Sequence, residues 1–223
     1  MKLTQQQQTT IFVSCTIIAM TIGAITLLVY LAVTYIWSDK VRIKLVNDPI
    51  DGRETKVIEN ALTDIKTTRM YSGSFCFWLY LKSMSNMQTT KTNYIMSYEK
   101  PISEYGTNAF FDVIYGDVDD TNSNRLTIRV KDLENNIESF YVDDIYLQKW
   151  MCVEIVIKDL RIDLYIDGTL VTSKLMKYVP LLSDQGTLYI GKDNGFNGLL
   201  SNLTFFNYAL DEDDVVKYYN QGN

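Results

Sequence analysis

Between Leu3 and Ser38 the sequence carries no charged residue, and Ile11 to Trp37 is a continuous run of 27 residues, IFVSCTIIAMTIGAITLLVYLAVTYIW. As a helix it reaches roughly 40 Å, against a hydrocarbon core of about 30 Å. The run predicts a transmembrane helix over 11–37, with Ile11 at one end, Gly23 near the middle, and Tyr35 and Trp37 at the far end, where amphipathic rings sit at the membrane interface. A cleaved signal peptide fits less well, because the stretch is about twice the usual apolar length and only Lys2 precedes it. Lys40, Arg42 and Lys44 follow the run, so the positive-inside rule puts the rest of the chain on the cytosolic side. Cys15, Ala19 and Gly23 fall at i, i+4 and i+8, a stripe of small residues that would let a second membrane helix approach closely.

All 27 acidic residues lie beyond residue 38, and removing Lys2 from the 21 basic ones leaves 20, so residues 38–223 carry 20 − 27 = −7. An acidic domain without a basic stripe predicts no nucleic-acid partner. The chain contains no histidine, which excludes Ser-His-Asp nucleophiles, HExxH metalloproteases and His-ligated zinc. Cys15, Cys76 and Cys152 are too far apart for a CxxC pair, and two unpaired cysteines fit a reducing compartment. Carboxylate chemistry or binding remains.

Residues 1–10 read as a polar tail holding Gln5–Gln8, and residues 38–56 as a juxtamembrane connector with Asp-Pro and Asp-Gly turn signals. From 57 to 223, short apolar alternations are separated by polar turns. Phe75, Phe77, Leu79 and Leu81 alternate, as do Leu126, Ile128 and Val130; Val153, Ile155 and Ile157; Ile162, Leu164 and Ile166; Leu188 and Ile190; and Leu199, Leu203 and Phe205. Period two is the strand signature. Asp167-Gly168 between two such runs is a hairpin signal. Asp211 caps a predicted helix with Glu212, Asp213 and Asp214 in its first turn and Val215, Val216 and Tyr219 as its apolar positions. The predicted class is mainly β: an antiparallel β-sandwich with one short C-terminal helix, behind one N-terminal transmembrane helix.

Four pieces in order carry a family resemblance: Ser74 to Leu79; Gln148-Lys149-Trp150-Met151-Cys152-Val153; Ile162 to Gly168; and the ending from Leu188-Tyr189-Ile190-Gly191 through Phe196-Asn197-Gly198-Leu199 to Tyr208-Ala209-Leu210. The domain resembles the laminin G-like jelly rolls of the concanavalin A-like lectin/glucanase superfamily, which implies that fold. Where that family often has His after the Trp matched by Trp150, this chain has Met151 and Cys152, and a common Asp of the ending is Ser201 or Asn202 here.

The superfamily's β-glucanases use an ExDxxE strand, which this chain lacks; the nearest carboxylates, Glu154 and Asp163, would lie diagonally on one face of a 152–158/161–167 hairpin together with Lys158 and Arg161. A solvated face with mixed charges explains that pattern more simply. Asp117, Asp119 and Asp120, with Asn122 and Asn124, form an oxygen-rich loop that suits a hard cation such as calcium, but the Gly and terminal Glu of an EF-hand are missing. Asp117-Val118-Asp119 also matches the brief DxD of glycosyltransferases, and Asn202-Leu203-Thr204 is a glycosylation sequon inside a predicted strand. Tyrosines beside amides in loops Tyr94–Tyr105 and Asp193–Asn197 could form a glycan platform, although most aromatic residues fall at alternating core positions.

The expected function is non-enzymatic: a single-pass membrane-anchored docking or scaffold module without catalytic residues or cofactor. The alternative is a membrane-anchored lectin-like receptor. Ile, Asn, Lys and Tyr total 67 residues while Ala, Gly, Pro and Arg total 26, the usage of an AT-rich genome. A large membrane-containing virus, in which a minor capsid protein ties capsid to inner membrane, fits that usage and an acidic, reduced domain.

Overall fold

The structure is a computed structural model and describes residues 5–37, 40–62, 72–83, 92–100, 109–116, 124–183 and 185–222. It divides into two units, Met1–Lys40 and Val41–Asn223. In the first, helix α1 runs from Gln5 to Trp37 and so takes in the Gln tract expected as a tail. Its side chains are described at Ser14 and 16–32, all exposed. Among the described residues no helix is long and apolar enough to cross a membrane.

The second unit is a sandwich of antiparallel sheets. Among the described residues its strands are β1 (Arg42–Lys44), β2 (Ile50–Asp51), β3 (Lys56–Ile58), β4 (Ser72–Leu81), β5 (Asn93–Glu99), β6 (Ala109–Tyr115), β7 (Arg125–Lys131), β8 (Ile137–Asp143), β9 (Trp150–Lys158), β10 (Arg161–Ile166), β11 (Thr169–Leu175), β12 (Thr187–Ile190) and β13 (Gly198–Phe206), followed by helix α2 (Glu212–Gln221). One sheet has the order β1-β13-β4-β9-β10-β11 with β2 also on β13, and the other β3-β12-β5-β6-β7-β8. Residues 38–56, expected as a connector, thus supply β1 and β2 to the first sheet.

The alternating residues of β4, β7, β9 and β10 point into one core between the sheets. Phe75 stands at its centre, 5.1 Å from Phe111 of the opposite sheet and 4.7 Å from Phe205. Asp167 and Gly168 both take positive φ, 51° and 74°, as a tight hairpin turn requires. Asp211 accepts from the Asp214 N–H at 2.8 Å, the expected N-cap. On β13 the expected parity fails: Leu200, not Leu199, is in the core. Asn202 takes φ 52° at a register shift between Ser201 and Thr204, and this bulge lets Leu200, Leu203 and Phe205 share one face. Helix α2 buries Val215 and Tyr218, whereas Val216 is exposed. It covers the outer face of the first sheet through a second, smaller apolar cluster.

Candidate docking cleft

Asp117, Asp119, Asp120 and Asn122 lie outside the described residues, as do the side chains of Ile11, Cys15, Tyr35 and Trp37. Ala19 and Gly23 are exposed, and a Cβ added at Gly23 would meet nothing within 4 Å among the described residues beyond its own helix backbone. Glu154 and Asp163 do lie diagonally on one face of the β9–β10 hairpin, since Tyr165 opposes Glu154 and Asp163 opposes Val156. Their surroundings differ. Asp163 pairs with Arg161 at 2.9 Å and accepts from Ser173 at 2.5 Å. Glu154 is fully buried, which corrects the expectation of a solvated face: α2 and its cluster cover this part of the sheet.

Tyr94 and Glu99 of the first candidate glycan loop lie beside Lys192, which precedes the second. The Lys192 ammonium lies 5.4 Å from the Tyr94 ring centre and 5.8 Å from that of Tyr189, and is ion-paired with Glu99. Ser97 Oγ is 2.8 Å from Glu99 and 2.6 Å from Asp112, whose other oxygen faces Arg129 at 3.7 Å. Burial holds the Asp112 carboxyl above its ordinary range, opposed by the Ser97 hydroxyl. These groups are committed to one another.

A more open site lies where the two sheets end on the same side. Edge strands β8 and β11 are tied there by Lys174 and Glu138 at 3.4 Å, and Glu138 also accepts from the Lys177 N–H at 2.9 Å. Beyond β8 the chain turns through Asp144 and Gln148, both at φ 58°. The turn is fastened by the Asp144 N–H to Asn124 O (2.9 Å), the Gln148 N–H to Leu81 O (2.7 Å) and the Asn124 amide to Ile145 O (3.1 Å). On β11 the register shift leaves Val171 without a cross-strand partner. Between Val142–Tyr146 and the hairpin residues Ile166, Asp167, Thr169 and Val171 opens a cleft of about 350 Å³, the size of a small-ligand site.

The buried side chains of Ile145 and Ile166 give the cleft an apolar lining, and its mouth is acidic. Asp143 pairs with Arg125 at 3.0 Å, and Arg125 in turn lies 4.0 Å from the Tyr141 ring centre. Asp167 accepts from the Cys152 N–H at 2.8 Å and faces Lys149 at 3.5 Å, whose ammonium lies 4.8 Å from the Tyr146 ring centre. Asp144 is exposed and has no ion-pair partner among the described residues. Tyr141, Tyr146 and Leu170 are each about half exposed, at 51%, 50% and 51%. Of these only Tyr146 lines the cleft, and an exposed Tyr beside an apolar pocket is among the residue types that dominate protein–protein contact energies. Among the described residues no group of three His, Cys, Asp or Glu could hold a metal ion. Sequence reasoning missed this cleft because residues 142–146 and 166–171 meet only through the two edges; the one local signal is the exposed aromatic in the turn Asp144-Ile145-Tyr146.

Comparison with solved structures finds the fold again in receptor-binding domains of botulinum neurotoxins. That of the C/D mosaic serotype aligns with a TM-score of 0.56 at 15% identity over 82% of this chain and 43% of that one. The serotype D binding domain gives 0.54 at 16%, over 83% and 44%. The binding domain of neurotoxin DC in complex with rat synaptotagmin II gives 0.56 at 17%, over 75% and 40%. The chain therefore spans less than half the length of each of these proteins. No curated protein matches the sequence. A family profile matches residues 56–216, most of the chain. The chain belongs to the concanavalin A-like lectin/glucanases superfamily.

Proposed function

We propose that this protein is a non-enzymatic docking module that binds a protein partner through the cleft between β8 and β11. The observation that carries the reading is the acidic, half-apolar cleft lined by exposed Tyr146, with the Lys149 ammonium against its ring. An acidic mouth on a domain of net charge −7 suits a partner segment that inserts a Lys or Arg on an apolar stem. A structural neighbour at 17% identity, 40% of whose length aligns with this chain, is known in complex with rat synaptotagmin II, a precedent for this fold within a protein-binding protein that supports the reading. The uncharged run 11–37 anchors the module in a bilayer as a single-pass helix, with the domain on the cytosolic side. An AT-rich, membrane-containing virus in which it links capsid proteins to the inner membrane is the setting proposed.

The test is a photo-crosslinking amino acid at Tyr146 or at Val57 on the opposite edge, in membranes from the native source. The reading expects one protein adduct from position 146, lost on Asp144→Lys, and none from position 57. Equal adducts from both positions, or no effect of Asp144→Lys, would overturn it. Saturable binding to a glycan array would favour the lectin reading instead.

A further inference from the structure

The seam between α2 and the first sheet holds every buried side-chain polar atom without a hydrogen-bond partner among the described residues: both carboxyl oxygens of Glu154 and the Trp78 indole nitrogen. Thr204, Cys76, Glu154 and Tyr165 stand in register across β13, β4, β9 and β10, with Trp78 and Cys152 paired one step along. Helix α2 covers this row with Val215, Tyr218 and Tyr219, and Glu154 has no exposed surface left.

Among the described residues no cation pairs with Glu154: Arg161 on the same hairpin face is held by Asp163, and Lys149 is held by Asp167. The titratable groups around it are Cys76 on β4, Cys152 on its own strand, Tyr165 on β10, Asp167 in the β10–β11 turn, and Tyr218, Tyr219 and Glu212 of α2. Arg42 on β1 reaches only the far side of the seam, 5.6 Å from the Phe206 ring centre and 5.9 Å from that of Tyr218. An ionised carboxylate in such a place would go unpaired, at a cost of several kcal/mol, so the group holds its proton instead. Burial lifts its pKa to about 7; the Asp167 charge adds to this, and the Cys152 thiol and Gly168 N–H offset only part of it without making a hydrogen bond of normal geometry.

We propose that Glu154 is a proton-dependent latch for α2: protonated, it lets the helix stay seated on the sheet, and ionised, it releases the helix and uncovers the apolar seam around Trp78. Release costs the sandwich little, because the seam is a cluster separate from the core between the sheets. The helix has only 10 residues, and its ties include the burial of Val215 and Tyr218, the Tyr218 hydroxyl on Asn202 O at 2.6 Å and near Cys76 O at 3.3 Å, the Phe206 ring against Tyr218, and Tyr219 stacked on Trp78 at 5.9 Å. The sign follows from proton linkage. Below pH 4.5 the carboxyl is protonated whether the helix is seated or released. Between 4.5 and about 7 only the released state ionises, and release gains up to tenfold per pH unit. Above that the gain levels off at roughly 300-fold.

The test is amide exchange of the full-length chain, corrected for intrinsic rates, between pH 4.5 and 8. The expected result is opening of 212–221 that rises by about two orders of magnitude and exceeds that of β7 at every pH, with a flat profile in Glu154→Gln. If that variant fails to fold, Glu154→Leu gives the flat profile. A flat wild-type profile, a slope that survives substitution, or α2 opening no more readily than β7 would each overturn the latch.

Discussion

The hairpin that leads into cleft strand β8 is organised by a single carboxylate, Asp132, which has no exposed surface. One oxygen accepts from the N–H groups of Glu134 (2.8 Å) and Asn136 (2.9 Å), and the other from the Asn136 amide (3.1 Å). The turn also needs Asn135 at φ 65° and closes through the Asp132 N–H to Asn136 O at 2.9 Å. Asp132→Ala strands two backbone N–H groups, each worth about 1.5–3 kcal/mol when bonded to a charged acceptor. The substitution also removes the cost of burying the carboxylate, so the expected net loss is about 2–4 kcal/mol. Asp132→Asn keeps one acceptor oxygen and loses about 1 kcal/mol. Equilibrium urea unfolding of the full chain measures both losses, and amide exchange at 134 and 136 locates them. A loss below about 0.5 kcal/mol for Ala, or equal losses for Ala and Asn, would refute the reasoning.

The core makes an independent prediction: Phe75→Ala loses about 3–5 kcal/mol in urea unfolding, since its ring bridges the sheets and no water can fill the gap favourably. Gly195 sits at φ 57°, and a Cβ there would come within 1.8 Å of Gly52 O, so Gly195→Ala speeds amide exchange around residues 52–55 and 191–196. Glu154→Gln raises global stability at pH 8 by about 3 kcal/mol, and the gain disappears as pH falls towards 4.5, because the raised carboxyl pKa penalises the folded state only once the unfolded chain can ionise. Urea midpoints measured across that range check both the size and the sign.

Strand faces were legible in the sequence because alternation maps directly onto burial: Phe75, Phe77, Leu79 and Leu81 all reach the core. The Asp167-Gly168 turn and the Asp211 cap were legible because each needs only local chemistry. Parity failed at Leu199 because one left-handed residue, Asn202, resets the pleat, and an Asn does not announce when it does so. On α2 the buried tyrosine is Tyr218, chosen by a hydroxyl that reaches Asn202 O on a distant strand. Glu154 looked solvated because a polar residue at an outward strand position normally is; nothing in strand periodicity says that a helix some 60 residues later will cover it. The cleft has the same origin, two edges brought together by the closure of the sandwich.

If the protein docks as proposed, the cleft, and no other face, receives the partner. Site-specific crosslinking at Tyr146 in the native membrane, with Asp144→Lys as the perturbed form and Val57 as the remote position, tests it most directly. A single protein adduct is expected at 146, abolished by the charge reversal and absent at position 57. Adducts of equal yield at 57, or an adduct at 146 indifferent to the charge at 144, would contradict it.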